Sequence, residues 1–507
     1  MLLHDLMEGM DLSLVSGSAD IPIHNLSDDT RQISRQKRGS LFIARGNHEP
    51  TIKQHVLEAI EQGTDAIICH KDYMQTLRSG ADRSVTWLAG SCINQVLVGQ
   101  LAERFYDYPS KKLKIIGITG TNGKTTTSLM LAHLLNQTGI QCGVIGTIWV
   151  NDGRSTQTAN LTTPGALELA AIQSRMVANG CKAAVIEVSS HALSQGRTDA
   201  CCFDVAIFTN LASDHLDYHE TVDQYAAAKT RLFSQLSKQA TAVVNKDDPH
   251  APAMLRNCQA QVIPCTLQAP ATCPPSDNTC FAKILQLASN HSHIAFHGPW
   301  GHTDLKLPFI GRHNVYNALQ ALAAASVLTF PTIQLVQKMG TCPAVPGRLE
   351  PVGTPHHHGP LVVVDYAHTP DALQHALNSL RPLTKGRLIA LFGAGGDRDT
   401  TKRAEMAAVA CKLADHVVIT SDNPRTEPPQ VIIGGILKGV PAEMKVRIEP
   451  DRGKAIELVI TQAADADTVL LAGKGHETYQ EINGIRYPFD DRLHAVEALN
   501  QKPTQQI

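Results

Sequence analysis

The sequence predicts an α/β protein that is built from three domains. Its 507 residues are too many for one hydrophobic core, because a domain usually holds about 100 to 200 residues. Short apolar, β-branched runs alternate with stretches of helix-forming residues along most of the chain, which is typical of parallel sheets with helical crossovers. Polar, proline-containing stretches break this alternation at 108–112 and 346–350. We therefore expect domains over 1–110, 111–346 and 347–507.

The composition is that of an ordinary globular protein and excludes several kinds of partner. Hydrophobic residues make up 43% of the chain and charged residues 18%, with a formal net charge of −2. No basic excess is available to neutralise phosphates, so we expect no nucleic-acid partner. The chain shows neither a signal-peptide pattern nor a run of about 18 uncharged apolar residues, so we expect no membrane insertion. The twelve cysteines lack zinc or disulfide spacing, which favours reduced thiols in a cytoplasmic protein.

The first domain should be a small α/β unit. Apolar runs predict strands at 40–44 and 65–69, and helix-forming residues predict a helix around 54–62 between them. The polar cluster 28–31 precedes the first strand. Taken by itself, this cluster fits a solvated turn better than a binding loop.

The central domain should be organised around a glycine-rich loop between a strand and a helix. An apolar run at 113–119 predicts a buried parallel strand, and apolar residues at helical spacing predict a helix over 127–135. Such a loop directs backbone N–H groups and a helix N-terminus at one anion. The sequence therefore predicts a P-loop-type parallel sheet that binds ATP. The loop residues are Gly120, Thr121, Asn122, Gly123, Lys124, Thr125 and Thr126.

Two side chains of this loop suit the chemistry of nucleotide phosphates. Lys124 can reach the terminal phosphates as a flexible point charge, and the hydroxyl of Thr125 can bind Mg²⁺. The loop departs from the strict phosphate-binding motif, because Ile118 stands where that motif requires a glycine. A simple strand-to-helix turn is the alternative, and the strand–loop–helix context disfavours it.

Polar residues follow two further strands of the central domain. The apolar run 181–188 contains Glu187 near its end, and the run 205–211 leads into Asp214 and His215. Because ligands gather at the carboxyl ends of parallel strands, we expect these groups near the phosphate loop, where they could bind Mg²⁺. A lone histidine in such a loop is more often a satisfied structural residue. The prediction of a magnesium site therefore rests on the polar residues of both strand ends together.

The rest of the central domain is less regular. The segment 255–305 is rich in Pro, Ser, His and Thr and predicts loops with short strands. An alanine-rich helix should begin near 311, with Asn314 and Asn317 on one face. This pair suits two contacts to a nucleotide, and it suits a helix cap with a surface turn equally well.

The third domain should be Rossmann-like. Four apolar runs predict parallel strands, and each is followed by a polar loop with Gly or Pro and then by a helical stretch. These runs are 361–365, 388–392, 416–420 and 468–472. The run His356–His358 has no partner ligands at metal-binding spacing, which favours a loop over a metal site.

The series of motifs resembles one family, the Mur ligases, which are ATP-dependent amide-forming enzymes of peptidoglycan precursor synthesis. The resemblance covers nearly the whole chain and implies that the three domains bind a UDP-sugar, ATP and the incoming amino acid, in that order. Folylpolyglutamate synthases are similar in fold and phosphate loop but lack the full series. The resemblance is carried by Gly120–Thr126, Glu187–His191, Asp214–His219, Tyr225–Lys229, Asp365–Pro370, Gly395–Asp399 and Gly473–Glu477.

Within the family, the stretch Asp422–Arg425 is similar to the motif of ligases that add meso-diaminopimelate to UDP-N-acetylmuramoyl-L-alanyl-D-glutamate. Diaminopimelate carries a second amino-acid head that L-lysine lacks, and an arginine fork can bind its carboxylate bidentately. The resemblance therefore implies these two substrates, together with ATP, Mg²⁺ and an acyl-phosphate intermediate. We further expect a monomer.

The resemblance also implies which residues bind each ligand. Catalytic roles belong to Lys124, Glu187, His215 and Lys229, of which Lys229 matches a family lysine that becomes a carbamate. The metal ligands are Thr125, Glu187, His215 and Lys229, and the ATP site adds Asn314, Arg348, Asp365 and His368 to the loop. The UDP-sugar contacts are Asp28, Thr30, His48, Thr162, Thr163, Ser189, Gln195 and Arg197. The diaminopimelate contacts are Arg398, Asp422, Asn423, Pro424, Arg425, Gly473 and Glu477.

Three alternatives stand beside this interpretation. The same ligase could use L-lysine as its acceptor, or the chain could be a folylpolyglutamate-type ligase with a pterin substrate. A regulatory P-loop ATPase would instead hydrolyse ATP without an acyl donor or an acceptor. The acid, hydroxyl and imidazole groups at 187–191 argue against this last alternative.

Overall fold

Three main β-sheets and one hairpin follow one another along the chain. The computed structural model describes residues 1–33, 38–46, 48–79, 84–212, 214, 216–268, 278–329, 332–353 and 359–502. The predictions for His215 and for His356–His358 lie outside the described residues. The α/β class that the sequence predicts is confirmed.

The first sheet has the strand order β1-β5-β4-β3-β2, with β1 antiparallel to β5 and the other pairs parallel. Its strands are β1 (Leu12–Ser16), β2 (Asn25–Ser27), β3 (Ser40–Ile43), β4 (Ala66–His70) and β5 (Thr86–Gly90). The helices of this region are α1 (Leu3–Met7), α2 (Glu49–Glu61), α3 (Met74–Arg78), α4 (Gln95–Phe105) and α5 (Pro109–Lys112). The two predicted strands and the helix between them are confirmed, although α2 begins earlier than predicted because Pro50 occupies its first turn.

The central sheet has the strand order β16-β15-β14-β13-β12-β11-β6-β10-β7-β8-β9. Its first strands are β6 (Lys114–Thr119), β7 (Cys142–Ile145), β8 (Trp149–Asn151), β9 (Thr156–Thr158), β10 (Ala183–Glu187) and β11 (Val205–Phe208). The others are β12 (Thr241–Asn245), β13 (Gln261–Thr266), β14 (Cys280–Leu287), β15 (Ser292–Gly298) and β16 (Gly301–Leu307). Its helices are α6 (Lys124–Gln137), α7 (Ala166–Ala178), α8 (Ser190–Ser194), α9 (Leu216–His219), α10 (Val222–Ser234), α11 (Ala251–Leu255), α12 (Arg312–Leu328) and α13 (Ile333–Met339).

Helices cover both faces of the parallel part of this sheet. Ile116 and Ile118 of β6 join the buried cluster under α6 and α12, whereas Ile115 joins the cluster under α7 and α10. A strand that is buried on both faces is expected to be continuously apolar, as the run before the phosphate loop is.

The prediction of loops with short strands for 255–305 is wrong. Strands β14, β15 and β16 are seven or eight residues long and form an antiparallel extension of the sheet. On β15, Ser292, Ile294, Ala295 and Phe296 are buried, while His293 and His297 are partly exposed. The apolar residues 294–296 mark this strand, although Pro, Ser and His are frequent in the segment.

The third sheet has the order β17-β18-β22-β19-β20-β21, and all pairs are parallel except β17 with β18. Its strands are β17 (Glu350–Val352), β18 (Leu361–Asp365), β19 (Leu388–Phe392), β20 (His416–Ile419), β21 (Arg447–Ile448) and β22 (Thr468–Ala472), and a hairpin adds β23 (Tyr479–Ile482) and β24 (Ile485–Pro488). The helices are α14 (Pro370–Leu380), α15 (Lys402–Leu413), α16 (Pro429–Leu437), α17 (Arg452–Gln462) and α18 (Asp491–Gln501). The four predicted strands are confirmed. Among the described helices of the chain, none is long and apolar enough to cross a membrane.

A fully buried ion pair connects two helices of the third sheet to the strand ends. Arg452 at the start of α17 donates to both carboxylate oxygens of Asp491 on α18, at 2.7 and 2.5 Å, and both side chains are 0% exposed. The same guanidinium donates to the carbonyls of Ser421 after β20 (3.4 Å) and Ala472 at the end of β22 (3.0 Å). The pair therefore fixes the loops that follow these two strands.

Replacing Asp491 by alanine should destabilise this region by about 3–5 kcal/mol, because the Arg452 charge would stay buried without its partner. A lowered Tm in thermal unfolding measures the effect. Lys454→Ala is the control, since that side chain is 72% exposed and its ion pair with Asp451 contributes about 0–1 kcal/mol. Equal Tm values for the two variants would contradict the prediction.

Candidate active site

The phosphate loop follows β6, which lies between β10 and β11. These three strands are parallel, so the loops after β10 and β11 meet the phosphate loop at one edge of the sheet, as predicted. Gly120 has a φ of +146°, and a Cβ there would lie 1.9 Å from the hydroxyl of Thr209. Lys124 Nζ donates to the carbonyls of Gly120 (2.9 Å) and Thr121 (2.9 Å). The ammonium group thus closes over the loop to which it belongs.

Thr125 and Glu187 form a cluster of oxygen ligands beside the loop. Glu187 is 1% exposed, and its Oε2 accepts hydrogen bonds from the hydroxyls of Thr125 (2.9 Å) and Thr147 (2.9 Å). Its Oε1 accepts from the backbone N–H of Thr147 (3.0 Å). One or two carboxylates completed by phosphate oxygens and water are what Mg²⁺ usually binds, so this set fits the ion. The described residues contain no group of three His, Cys, Asp or Glu arranged to hold a metal.

Lys229 on α10 is buried beneath the same loop and is 1% exposed. Its Nζ donates to the carbonyl of Gly120 (3.1 Å) and lies 4.2 Å from the centre of the Tyr225 ring. Burial lowers the pKa of this amine well below its ordinary value, Lys124 lowers the pKa further, and Asp214 raises it. The surroundings therefore favour the neutral amine.

Asn314 and Asn317 lie inside the central domain, next to the phosphate loop. They are 1% and 3% exposed, and Asn317 Nδ2 donates to Asn314 Oδ1 (3.0 Å). Asn317 Oδ1 accepts from the Thr127 hydroxyl (3.3 Å), and a Cβ on Gly123 would lie 2.5 Å from the same oxygen. The alternative of a surface turn is therefore wrong for this pair, which supports the loop from behind.

Of the predicted ATP-site residues after residue 346, Arg348 reaches the same loop. Arg348 Nη2 donates to Thr125 Oγ1 (3.4 Å), and the guanidinium lies 4.9 Å from the centre of the Tyr366 ring. Asp365 Oδ2 accepts from the N–H of the residue after Arg348 (2.7 Å), and burial raises the pKa of Asp365. His368 Nδ1 lies 2.8 Å from the Tyr366 carbonyl. Arg348, in the loop before β17, thus connects the third sheet to the phosphate loop.

The predicted UDP-sugar residues of the central domain form one hydrogen-bonded group. Thr163 Oγ1 donates to the Glu187 carbonyl (2.7 Å) and accepts from the N–H of Ser189 (3.0 Å). Arg197 donates to the Thr163 carbonyl (2.9 Å) and to Gln195 Oε1 (2.9 Å). This group lies directly beside the cluster of oxygen ligands, because Glu187 belongs to both.

The remaining predicted UDP-sugar residue of the central domain, Thr162, contacts Thr147. The hydroxyls of these two threonines are 3.1 Å apart, and that of Thr147 also contacts Glu187. Sequence analysis missed Thr147. It follows β7, the neighbour of β10, so the strand-end rule that selected Glu187 could have selected it too.

The predicted residues of the first domain are structured and partly paired. Asp28 forms an ion pair with Arg45 (2.5 Å). Burial lowers the pKa of Arg197, and the positive charge of Arg45 lowers it too. Arg45 therefore lies near the UDP-sugar group and was missed. The Thr30 hydroxyl is buried and donates to Glu58 of α2 (3.0 Å), so the cluster is not a simple solvated turn. His48 precedes α2, with Nδ1 2.8 Å from the Thr51 hydroxyl.

The predicted diaminopimelate residues converge on the carboxyl ends of β19, β20 and β22, which are neighbours with β18 in the sheet. Asn423 is central, because its Nδ2 donates to Glu477 Oε2 (2.7 Å) and its Oδ1 accepts from Lys474 Nζ (3.0 Å). Gly473 has a φ of +115°, and a Cβ there would lie 2.5 Å from Asp422 Oδ2. Burial and Asp422 raise the pKa of Glu477, whereas Lys474 lowers it. Sequence analysis missed Lys474 although it lies within a quoted motif.

Arg425 lies at the mouth of this group, directly after Pro424. Its Nη1 donates to the Gly396 carbonyl (2.6 Å), and its φ of +52° places the residue in the left-handed region. Arg398 is exposed, and a Cβ on Gly395 would lie 2.9 Å from Arg425 Nη1 and 3.7 Å from Arg398 Cγ. Two cationic side chains thus lie beside one glycine turn.

Comparisons with known proteins agree with this arrangement. The family descriptions "Mur ligase middle domain" and "Mur ligase, glutamate ligase domain" match residues 118–325 and 347–475. A UDP-N-acetylmuramoyl-L-alanyl-D-glutamate–2,6-diaminopimelate ligase from Thermosynechococcus vestitus is 43% identical over 410 residues, 81% of each chain. One of the same name from Synechococcus elongatus is 39% identical over 492 residues, 95% of each chain.

A solved structure of a ligase with the same name covers 99% of both chains, with 31% identity and a TM-score of 0.67. Sequence matches of this strength extend over most of the chain and include both regions that form the site. The chain belongs to the Mur ligase family.

Proposed function

We propose that the chain is an ATP-dependent ligase of peptidoglycan precursor synthesis, which adds meso-2,6-diaminopimelate to UDP-N-acetylmuramoyl-L-alanyl-D-glutamate. The contact between Arg348 and Thr125 (3.4 Å) carries the proposal, because it brings the loops of the third sheet against the phosphate loop. An acyl group activated at the phosphate loop then lies beside the amino-acid pocket around Asn423.

The proposal includes a division of labour between three domains in a monomeric, cytoplasmic enzyme. Residues 1–110 bind the UDP-sugar, 111–346 bind ATP, and 347–507 bind the incoming amino acid. Support comes from the three separate sheets and from the distribution of the predicted contacts among them.

The first chemical step activates the acyl donor. The γ-carboxylate of the D-glutamate residue attacks the γ-phosphate of ATP and yields an acyl phosphate and ADP, since a free carboxylate is too weak an electrophile for an amine. Lys124 offsets the repulsion between the two anions that must meet, and the N–H groups of the loop bind the phosphates. Thr163, Ser189 and Arg197 position the donor next to Glu187.

Magnesium fits the oxygen ligands of this step. Thr125 and Glu187 would hold one ion, and His215 and Lys229 are assigned to a second. When bound, Mg²⁺ neutralises charge on the phosphate oxygens.

The second step forms the amide bond. The amine of diaminopimelate attacks the acyl carbon, and phosphate leaves the tetrahedral intermediate. Arg425 and Arg398 bind the carboxylate of the distal amino-acid head, for which the guanidinium fork is suited. Asn423 and Glu477 bind the polar groups of the same head.

Carbamylation of Lys229 is part of the proposal. A buried amine kept neutral beside Lys124 can add carbon dioxide, and the resulting anion would support a metal ion. Lys229→Met should lower kcat about 10- to 100-fold, the usual effect of losing a group that supports a metal. With ¹³C-bicarbonate, NMR should detect a carbamate carbon in the wild type and none in the variant. The exposed Lys182, replaced by methionine, is the matched control, and an identical spectrum for Lys229→Met would contradict the assignment.

Phosphate release from ATP tests the proposed function directly. The assay contains Mg²⁺ and UDP-N-acetylmuramoyl-L-alanyl-D-glutamate, with meso-diaminopimelate, L-lysine or no acceptor. Release that depends on diaminopimelate supports the donor, the acceptor and the reaction together. Release with lysine instead would overturn the role of Asp422–Arg425, and release without any acyl donor would leave an ATPase. Activity only with a pterin substrate would favour the folylpolyglutamate-type alternative.

A further inference from the structure

His476 lies beside the loop that joins the central domain to the third sheet. A Cβ on Gly347 would lie 2.1 Å from the backbone N of His476, so the two loops touch without any side chain between them. The imidazole is 5.1 Å from the Tyr366 ring, centre to centre, and the Arg348 guanidinium lies 4.9 Å from that same ring. His476 and Arg348 are therefore neighbours around one tyrosine.

His476 lies near residues of both parts of the proposed reaction, the phosphate loop and the amino-acid pocket. On one side, Arg348 contacts Thr125 of the phosphate loop. On the other, Glu477 follows His476 directly in the chain and accepts a hydrogen bond from Asn423 in the amino-acid pocket. His476 is thus connected to the phosphate loop through Tyr366 and Arg348, and to the amino-acid pocket through its chain neighbour Glu477.

The free nitrogen of His476 is shielded from solvent. Its Nδ1 is buried and has no hydrogen-bond partner among the described residues, which is costly unless a ligand completes it. Burial, together with Arg348 and Arg492, lowers the pKa of the imidazole to about 4. Tyr366 packs against the ring as a neutral phenol, because burial raises its pKa to about 12. The imidazole is thus neutral at neutral pH, as a proton acceptor must be.

We propose that His476 is the general base that deprotonates the attacking ammonium group of the incoming amino acid. The inference rests on the proposed ligase function and adds a catalytic residue to it. The anionic acyl phosphate beside Arg348 would offset that cation and so strengthen the base at the moment when it is needed.

The step balances as follows. His476 Nδ1 takes one proton from the ammonium group, and the amine lone pair then forms the C–N bond at the acyl carbon. The tetrahedral intermediate collapses, and the bond between the acyl carbon and the oxygen that bridges to phosphorus breaks. The departing phosphate takes the second amine proton and then the proton held by His476, and it leaves as dihydrogen phosphate.

His476→Gln tests the proposal, because glutamine retains polarity and approximate size but is not a base. The variant should lose about 10²-fold or more in kcat with diaminopimelate, the usual contribution of a general base. Hydroxylamine, which is already a neutral nucleophile near neutral pH, replaces diaminopimelate in a second assay. The variant should form the hydroxamate at the wild-type rate, since the acyl phosphate is still made and no base is required.

The pH profile supplies an independent readout. In His476→Gln the rate with diaminopimelate should rise about tenfold per pH unit, because free amine must come from solution, whereas the wild-type profile should be flatter. His302→Gln is the control, since that histidine lies exposed on the β15–β16 hairpin.

Three results would overturn the assignment. Loss of hydroxamate formation in His476→Gln would move the residue to phosphoryl transfer or to folding. Unchanged kcat with diaminopimelate would remove it from the reaction. If the wild type forms no ATP-dependent hydroxamate from the UDP-sugar donor, the ligase function itself fails, which the wild-type assay reveals before any variant is compared.

Discussion

Replacing Lys124 by methionine should lower kcat for acceptor-dependent phosphate release about 10³-fold. Removing one preorganised donor from developing charge typically costs about 10²–10³-fold, and Lys124 carries a full charge. Methionine retains the apolar stem, so the change removes the ammonium group with little change in packing. The effect should appear in kcat more than in the KM for UDP-N-acetylmuramoyl-L-alanyl-D-glutamate, because repulsion between the two anions is greatest during phosphoryl transfer.

The phosphate loop should survive this substitution. Lys124 donates to the Gly120 carbonyl, but Lys229 donates to the same oxygen at 3.1 Å. The N–H of Asn122 is also held by Asn210 Oδ1 (3.0 Å). Lys182→Met, an exposed lysine at the other end of the sheet, is the control and should keep full activity. A Lys124 variant that retains more than a tenth of the wild-type kcat would remove the lysine from the proposed chemistry.

Replacing Arg425 by alanine should raise the KM for diaminopimelate about 10²-fold and leave the KM for ATP unchanged. Hydrogen bonds to a charged group contribute about 1.5–3 kcal/mol each, and a bidentate pair adds geometric selectivity. Arg425→Lys should recover only part of the affinity, since an ammonium group cannot reproduce the planar fork. The variant should also lose its preference for diaminopimelate over L-lysine, which lacks the distal carboxylate.

The backbone at Arg425 should stay in place when the side chain is removed. Its N–H donates to the Glu481 carbonyl (3.0 Å), and its carbonyl accepts from the N–H of Asn483 (2.7 Å). The exposed Arg447, replaced by alanine, controls for loss of positive charge in the same sheet. Steady-state kinetics with each substrate varied in turn measures the effect. A parallel rise in the KM for ATP would point to a collapsed loop instead of a lost contact.

Much of this arrangement follows from the sequence, because parallel sheets bring the carboxyl ends of their strands together. Glu187 could be placed beside the phosphate loop for that reason, whereas Asn423 and Glu477 were assigned to one pocket through the family resemblance. The burial of individual polar side chains could not be predicted in the same way. Lys229 lies on a helix whose spacing suits an amphipathic face, and nothing in that spacing shows that its amine points beneath Gly120.

Contacts between distant segments were also beyond the sequence. Thr147 and Arg45 belong to no recognised motif. Thr147 becomes informative only when folding places it against Glu187, and Arg45 only when folding places it near Arg197. The length of the antiparallel strands in the segment 255–305 was underestimated, because the Pro, Ser, His and Thr content of the segment indicated loops. Functional residues that lie within sequence motifs could thus be predicted, whereas functional residues that folding brings together from separate segments could not.

The carbonyl oxygen of Gly120 accepts hydrogen bonds from two lysines at once, Lys124 at 2.9 Å and Lys229 at 3.1 Å. Two ammonium groups on one oxygen would repel each other, so Lys124 contributes to lowering the pKa of Lys229 and keeping that amine neutral. If Lys229 carries a carbamate, the neutral group becomes an anion that attracts Lys124, which favours the protonated form of Lys124 that binds phosphate. Nucleotide affinity is then linked to dissolved carbon dioxide, and we expect the KM for ATP to rise when carbon dioxide is removed from the buffer and to recover when bicarbonate is restored.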